Sequence, residues 1–270
     1  MSGPLKPLKR FGQHFLVDQN IIRKIRNVIA IGSDDHVLEI GPGQGALTYL
    51  LMDAARSVTA VEIDRGWAKA LAQATKTQNR LHVVCADFLK WDLKAYARRR
   101  KISSFVVVAN IPYYITTPIL ENLFGHIGLL KDVYLMVQKE VAHRMTAQAG
   151  TKVYSAFTCF VSYYCEPAIL FQIKPGSFRP LPKVDSCFVR LRPRPAKERK
   201  AGVSSPALMF KIIRAAFGQR RKRLWASLAK VLSREYMLSL SDTFDFKRRA
   251  EDISLEEYQR LSNLVFDIKG

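Results

Sequence analysis

The chain is predicted to be an α/β protein, a seven-stranded, mostly parallel sheet covered by helices on both faces, followed by a small helical domain. Two observations carry that reading. Short, β-branched apolar runs alternate with helical patterns through most of the chain, which is how strands buried on both faces read in sequence. After the stretch Arg192–Pro206, with three prolines, one glycine and a run of charges, the pattern turns helical, with apolar residues first at i, i+3, i+4 spacing. That stretch reads as a linker. The expected division is therefore a first domain over residues 1–193, a linker at 194–206 and a helical domain over 207–270.

The elements follow in order. His36–Ile40, Ser57–Ile63, Leu81–Cys85, Phe105–Ala109 and Val133–Val137 are strand-length and apolar, with helix-like stretches Ala46–Ala54 and Gly66–Thr75 between the first of them. Ala168–Ile173 and Ser186–Leu191 complete the sheet. In the last third, Leu208, Met209, Ile212, Ile213, Ala216 and Phe217 form an apolar stripe, and Ser254 with Glu257 fits a capping box that opens a final helix, Leu255–Phe266.

Composition bounds the function classes. No apolar run approaches the roughly 18 residues of a membrane span, and Met1–Pro7 has no signal-like hydrophobic stretch. A cytoplasmic protein is expected. Cys85, Cys159, Cys165 and Cys187 show no C-x-x-C pair and no metal-ligand spacing, so free thiols and no metal are expected. No surface helix demands a second copy, and a monomer is expected. Charge is more informative. The formal net charge is +20, and residues 190–270 hold 19 Lys and Arg against 9 Asp and Glu. The rest of the chain holds 24 against 14 over more than twice the length. Such an excess points to a polyanion, nucleic acid before an anionic membrane, since no basic amphipathic helix with a bulky aromatic face stands out.

The first strand runs into Gly41-Pro42-Gly43-Gln44-Gly45-Ala46. Glycines there let the backbone turn tightly and let a ligand come close, but Gly41, Gly43 and Ala46 also satisfy the dinucleotide fingerprint. Glu62, ending the second strand, is placed to accept from ribose hydroxyls, and Asp87, after the third, from an adenine amino group. Together they outline a nucleoside pocket without choosing between a nicotinamide dinucleotide and S-adenosylmethionine.

The fourth strand chooses. It ends in Asn110-Ile111-Pro112-Tyr113, the asparagine-x-proline-aromatic tetrad of amino-group methyltransferases. An exocyclic adenine amine is a weak nucleophile because its lone pair is delocalised into the ring. The Asn110 side-chain oxygen and a backbone carbonyl of Ile111 or Pro112 can hold both N–H bonds and aim the lone pair at a methyl donor. Proline keeps the turn rigid, and Tyr113 offers a stacking face to an extruded base. Proximity and orientation supply the rate, and no general base is required.

These residues resemble the small-subunit ribosomal RNA adenine dimethyltransferases, over nearly the whole chain. Lys9-Arg10-Phe11-Gly12-Gln13-His14-Phe15-Leu16 is similar to that family's opening motif, Gln138–Arg144 to its Q-K-E-V block, and Pro175–Pro180 with Pro182–Ser186 to another. Phe217-Gly218-Gln219-Arg220-Arg221-Lys222-Arg223 is similar to its F-x-Q-R-R-K block. One departure is Ile111, where most members have Leu; its role is through backbone, so little changes. The resemblance implies a Rossmann-like class I methyltransferase domain that uses S-adenosylmethionine, with His14, Leu16, Gly41, Gly43, Gly45, Glu62, Asp87 and Asn110 at the cofactor. It makes Phe178 the second wall of the base pocket, opposite Tyr113. It implies as substrate 16S rRNA in the small ribosomal subunit or its precursor, with two adjacent adenosines in a hairpin loop near the 3′ end each dimethylated. Arg220, Arg221, Lys222 and Arg223 are the expected RNA contacts, with Lys6, Lys9 and Arg10, or Arg98–Lys101, as the alternative basic faces. The rival readings are a large-subunit methylase conferring antibiotic resistance and an RNA-binding assembly or transcription factor without catalysis. A dinucleotide dehydrogenase is more distant, since no proton relay is identifiable.

Overall fold

The computed structural model describes residues 13–269, so Lys6 and the Lys9–Gly12 part of the opening motif lie outside the described residues. A two-residue strand β1 (Phe15–Leu16) and helix α1 (Gln19–Val28) lead into β2 (His36–Ile40), α2 (Thr48–Ala54), β3 (Ser57–Glu62), α3 (Arg65–Ala74), β4 (Leu81–Cys85), α4 (Leu93–Arg100) and β5 (Phe105–Asn110). Then come α5 (Thr116–Gly125), β6 (Leu130–Gln138), α6 (Lys139–Met145), α7 (Ala156–Tyr164), β7 (Cys165–Ile173), β8 (Phe178–Arg179) and β9 (Ser186–Pro193). The seven-stranded sheet has the order β4-β3-β2-β5-β6-β9-β7, and β1 pairs with β8 in a separate ribbon. The five strands β4 to β6 are parallel, while β9 runs antiparallel to β6.

Burial explains why these runs are strands. Phe105, Val106, Val107, Val108 and Ala109 of β5 are all fully buried. Each large apolar side chain removed from water is worth roughly 1.5–3 kcal/mol, so two-sided coverage decides the conformation more than propensity does. The helices that return the chain are capped by aspartates. Asp18, Asp64 and Asp92 accept hydrogen bonds from first-turn N–H groups of α1, α3 and α4. The second helix begins at Thr48 rather than the predicted Ala46, because the turn that carries Gly45, at a φ of +82°, continues through Leu47.

The order reverses at β2, with β3 on one side and β5 on the other. In open α/β sheets that point opens a crevice at the carboxyl ends of the strands. Register places the ends together: Ile40 pairs with Ala109, and Glu62 pairs with Cys85. Gly41, Glu62, Asp87 and Asn110 therefore come to one edge.

The remaining helices are α8 (Ala196–Ala201), α9 (Pro206–Gly218), α10 (Leu224–Leu228), α11 (Arg234–Ser239) and α12 (Leu255–Lys269). The chain forms two compact bodies, but their boundary is not the expected one. The first runs to Ala142 and resumes over Ala168–Pro193; the second joins His143–Pro167 to the chain from Arg194 onward. The physical reason is apolar. Tyr154, Cys159 and Tyr163 share a buried core with Met209, Ile212, Ile213 and Ala216 of the predicted stripe. Nor is 194–206 a free linker. It contains α8, the Arg194 guanidinium donates to the Ser162 carbonyl at 2.9 Å, and Ser204 N–H donates to Asn263 at 2.8 Å. The predicted capping box at α12 is present, with Glu257 N–H donating to Ser254 Oγ and Ser254 N–H to Glu257.

Candidate active site

A cleft of about 1080 Å³, counted with its open mouth, lies at the carboxyl edge of the first body. It is lined by His14, Leu16, Gly41, Gly43, Glu62, Asp87 and the whole tetrad from Asn110 to Tyr113. The glycine loop is held by its own bonds: Gly41 N–H donates to the Val61 carbonyl at 2.9 Å, and Gly43 N–H to Glu62 Oε2 at 3.0 Å. Gly43 has a φ of +52°, and a Cβ there would lie 2.5 Å from the Phe15 ring. That close approach explains the glycine. Gly45 was expected beside the cofactor, but it does not line the cleft. It is buried in the turn, where a Cβ would crowd Leu71 and Tyr49.

Two carboxyl groups are buried under this loop. Glu62 accepts one backbone N–H on each oxygen, from Gly43 and from Asp64, the latter at 2.9 Å. Burial raises its pKa, and those hydrogen bonds oppose the rise. Glu39, in β2, accepts from the Thr48 hydroxyl at 2.6 Å. Burial, reinforced by the charge of Glu62 and opposed by the Thr48 bond, pushes it up to about 8. Glu39 lines the cleft too, and the sequence reading passed over it. Its signal was available: an acidic residue inside an otherwise apolar strand, two residues before the loop. Asp87 is half-buried, and its Oδ1 accepts from Leu89 N–H at 3.0 Å.

Asn110 is oriented from an unexpected side. Its Nδ2 donates to the backbone carbonyl of His14 at 2.8 Å. A carbonyl only accepts, so this bond fixes which end of the amide is which and leaves Oδ1 as the acceptor. The His14 ring stacks on Tyr113, with centroids 5.8 Å apart and planes at 24°. Its Nδ1 lies 2.8 Å from the Pro180 carbonyl and so carries the proton. The Tyr113 hydroxyl shares a 2.5 Å hydrogen bond with Ser186, and burial raises its pKa. Ile115 N–H donates to the Pro112 carbonyl at 3.2 Å, which leaves that oxygen one lone pair. The side chain of Ile111 is buried, consistent with a backbone role.

Phe178 stands apart. It is fully buried, pairs with Leu16 across the β1–β8 ribbon, belongs to the sheet core with Phe171 and Phe188, and does not line the cleft. In this structure the side chain presents no face to a base, because β1 lies alongside it.

In the second body, the basic block following α9 is not uniform. Arg220 is half-buried; it pairs with Glu251 and donates to the Lys152 carbonyl at 2.6 Å. Arg221, Lys222 and Arg223 are exposed and make no ion pair among the described residues. No carboxylate follows the block in sequence before Glu235; the fold brings Glu251 to it.

A sheet that reverses its order between β3 and β5, and opens a crevice there beside the Asn110–Tyr113 turn, places the first body among the Rossmann-like class I methyltransferases. Solved structures agree. A dimethyladenosine transferase from Plasmodium falciparum matches with a TM-score of 0.77 and 27% identity over 95% of this chain and 98% of its own. The 23S rRNA methyltransferase ErmE matches with a TM-score of 0.70 and 27% identity over 93% and 99%. The family model for ribosomal RNA adenine dimethylase matches residues 6–267, and the chain belongs to that family. Relatives extend over almost the full length. The Ribosomal RNA small subunit methyltransferase A of Nitrosococcus oceani is 40% identical over 254 residues, 94% of each chain. The protein of the same name from Clostridium botulinum (strain Kyoto / Type A2) is 37% identical over 263 residues, 96% of this chain and 94% of its own. The chain is a methyltransferase of the rRNA adenine dimethylase type.

Proposed function

We propose that the chain transfers methyl groups from S-adenosylmethionine to the exocyclic amines of two adjacent adenosines near the 3′ end of 16S rRNA, in the small ribosomal subunit or its precursor. The observation that carries this reading is the fixed amide of Asn110. With Nδ2 spent on the His14 carbonyl, Oδ1 accepts one amine hydrogen. A backbone carbonyl of Ile111 or Pro112 accepts the other. Held by two acceptors, the amine turns its lone pair toward the glycine loop. Tyr113, braced by His14 and Ser186, stacks on the extruded base.

The cleft fits the methyl donor. The backbone at Gly43 leaves no room for a side chain, and each Glu62 oxygen bonds one backbone N–H and has a lone pair to spare for a ribose hydroxyl. Bound there, S-adenosylmethionine supplies an electrophilic methyl group on a sulfonium. The second oxygen of Asp87 receives the adenine amino group, and His14 and Leu16 close over the nucleoside. What the chain contributes is orientation and exclusion of water.

The small subunit is preferred to the large because the relatives at 37% and 40% identity are named for the small subunit. The exposed Arg221, Lys222 and Arg223 then contact RNA phosphates, in a monomer working in the cytoplasm. The test is methylation of unmodified small subunits with labelled cofactor, followed by mapping of the modified nucleotides. Label confined to two neighbouring adenosines near the 3′ end supports the assignment. Label in large-subunit RNA, or none, overturns it.

A further inference from the structure

The first body carries a second concentration of positive charge, at the amino edge of the sheet, opposite the cleft. Helix α4 ends in Arg98-Arg99-Arg100, followed by Lys101, all exposed. Arg56 enters β3, and Lys76 and Arg80 lie on the segment that enters β4; these are exposed as well. The pieces meet in space. Arg100 hydrogen-bonds His82 of β4. After burial itself, the charges of Arg56 and Arg100 lower the pKa of His36 in β2, and Arg100 lowers that of His82. Arg56, Lys76, Arg80, Arg98, Arg99 and Lys101 make no ion pair among the described residues. Against them stand Asp35, already held by Lys131 at 2.6 Å, and the exposed Asp34 and Asp53.

A helix C-terminus attracts cations through its dipole, and that accounts for the α4 arginines alone. It does not account for Arg56, Lys76 and Arg80, which belong to other segments and add self-repulsion. Nor does it account for Lys101. That residue holds the left-handed capping position, φ 56°, which glycine fills at least cost. Cations gathered from separate loops with too few carboxylates to neutralise them are the footprint of a polyanion.

From this convergence we infer that the amino edge of the sheet is a second RNA-contact surface. It grips the phosphate backbone of a segment other than the one that delivers the target adenine. The inference rests on the ribosomal RNA reading above. Strands of five or six residues at about 3.3 Å each separate the two edges by roughly 17–20 Å, so a single-stranded loop entering the cleft does not also cover this face. The surface reads no bases; it adds affinity and selects a folded, multi-helix RNA over an isolated strand.

The experiment uses the full chain with Arg98→Gln, Arg99→Gln and Lys101→Gln together, and purified unmodified small subunits as the probe. Subunit affinity should fall about tenfold. The slope of log affinity against log salt should flatten by about two to three units, near 0.9 for each phosphate no longer neutralised. In methylation, KM should rise by a similar factor while kcat and S-adenosylmethionine affinity stay within twofold of wild type. Arg98→Lys with Arg99→Lys, which keeps the charge, should retain the wild-type slope. Unchanged subunit affinity and salt slope in the Gln variant, with wild type binding subunits normally, overturn the surface. A wild-type chain that binds subunits no better than anionic vesicles removes the ribosomal reading, and the surface with it.

Discussion

At the carboxyl edge of the sheet, Glu39 and Glu62 are buried and satisfied by uncharged groups, the Thr48 hydroxyl and the Gly43 and Asp64 N–H groups. In the helical body the charged groups sit at or near the surface, and Arg220 finds its partner, Glu251, well along the chain, while Arg248 pairs with Glu257. The first arrangement spends desolvation free energy to hold a loop in one shape. The second leaves most cations hydrated, where each ion pair is worth little and phosphate is the stronger partner. Substitutions at the edge should therefore change binding, chemistry or fold stability, and those in the helical body should change salt dependence.

The largest effect that can break this contrast is at Phe178. With its side chain in the sheet core, Phe178→Ala should lose about 3–5 kcal/mol of stability in denaturant unfolding. Tyr113→Ala, half-buried at the cleft, should lose less stability than Phe178→Ala and cost about 1–3 kcal/mol in base stacking. A stable Phe178→Ala variant that fails only in methylation would return Phe178 to the base pocket.

Next comes Glu62→Ala. It removes the acceptor for Gly43 and Asp64 as well as the proposed ribose contact, so S-adenosylmethionine affinity should drop roughly ten- to hundredfold, about 1.5–3 kcal/mol. Wild-type affinity by calorimetry would refute the pocket.

Glu39 sharpens the comparison through pH. Its pKa is raised from 4.5 to about 8, so the folded state holds a proton that the unfolded chain releases. That contribution is fully present below pH 4.5 and is lost as pH rises through about 8. Unfolding midpoints should fall across that window. Glu39→Gln, which still accepts from Thr48, should flatten the fall without abolishing it, since Glu62 shifts in the same direction. An unflattened curve would mean Glu39 is already ionised in the folded protein.

The smallest effect is in the helical body. Arg221→Ala, Lys222→Ala and Arg223→Ala together should leave stability and cofactor affinity unchanged. They should flatten the salt slope of subunit binding by roughly one unit for each phosphate left without its cation. Arg220 is omitted because its pairing with Glu251 makes it part of the fold. An unaltered slope would mean these cations only keep the helical body soluble.

Much of the sheet and the cleft was legible in sequence because the determinants are local. An apolar run is a strand, a glycine loop after it is a turn, and strand register brings the ends together. Glu62, Asp87 and Asn110 were found that way. What was hidden depends on chain reversal. The His14 carbonyl reaches Asn110 across 96 positions, and no spacing rule announces such a bond. Tyr154–Tyr163 joined the helical core although it lies between two strands, because its apolar face is satisfied equally well by either body in a one-dimensional reading. Phe178 was placed by its neighbours in the motif, while its burial depends on β1, a strand of two residues too short to read.

The central claim is that Asn110, oriented by the His14 carbonyl, is the amine acceptor. Single-turnover methylation of unmodified small subunits by Asn110→Ala, at saturating cofactor and subunit, tests it most directly. The rate should fall roughly hundred- to thousandfold, the scale of one missing preorganised hydrogen bond, with subunit affinity near wild type. A single-turnover rate within a few-fold of wild type would contradict it.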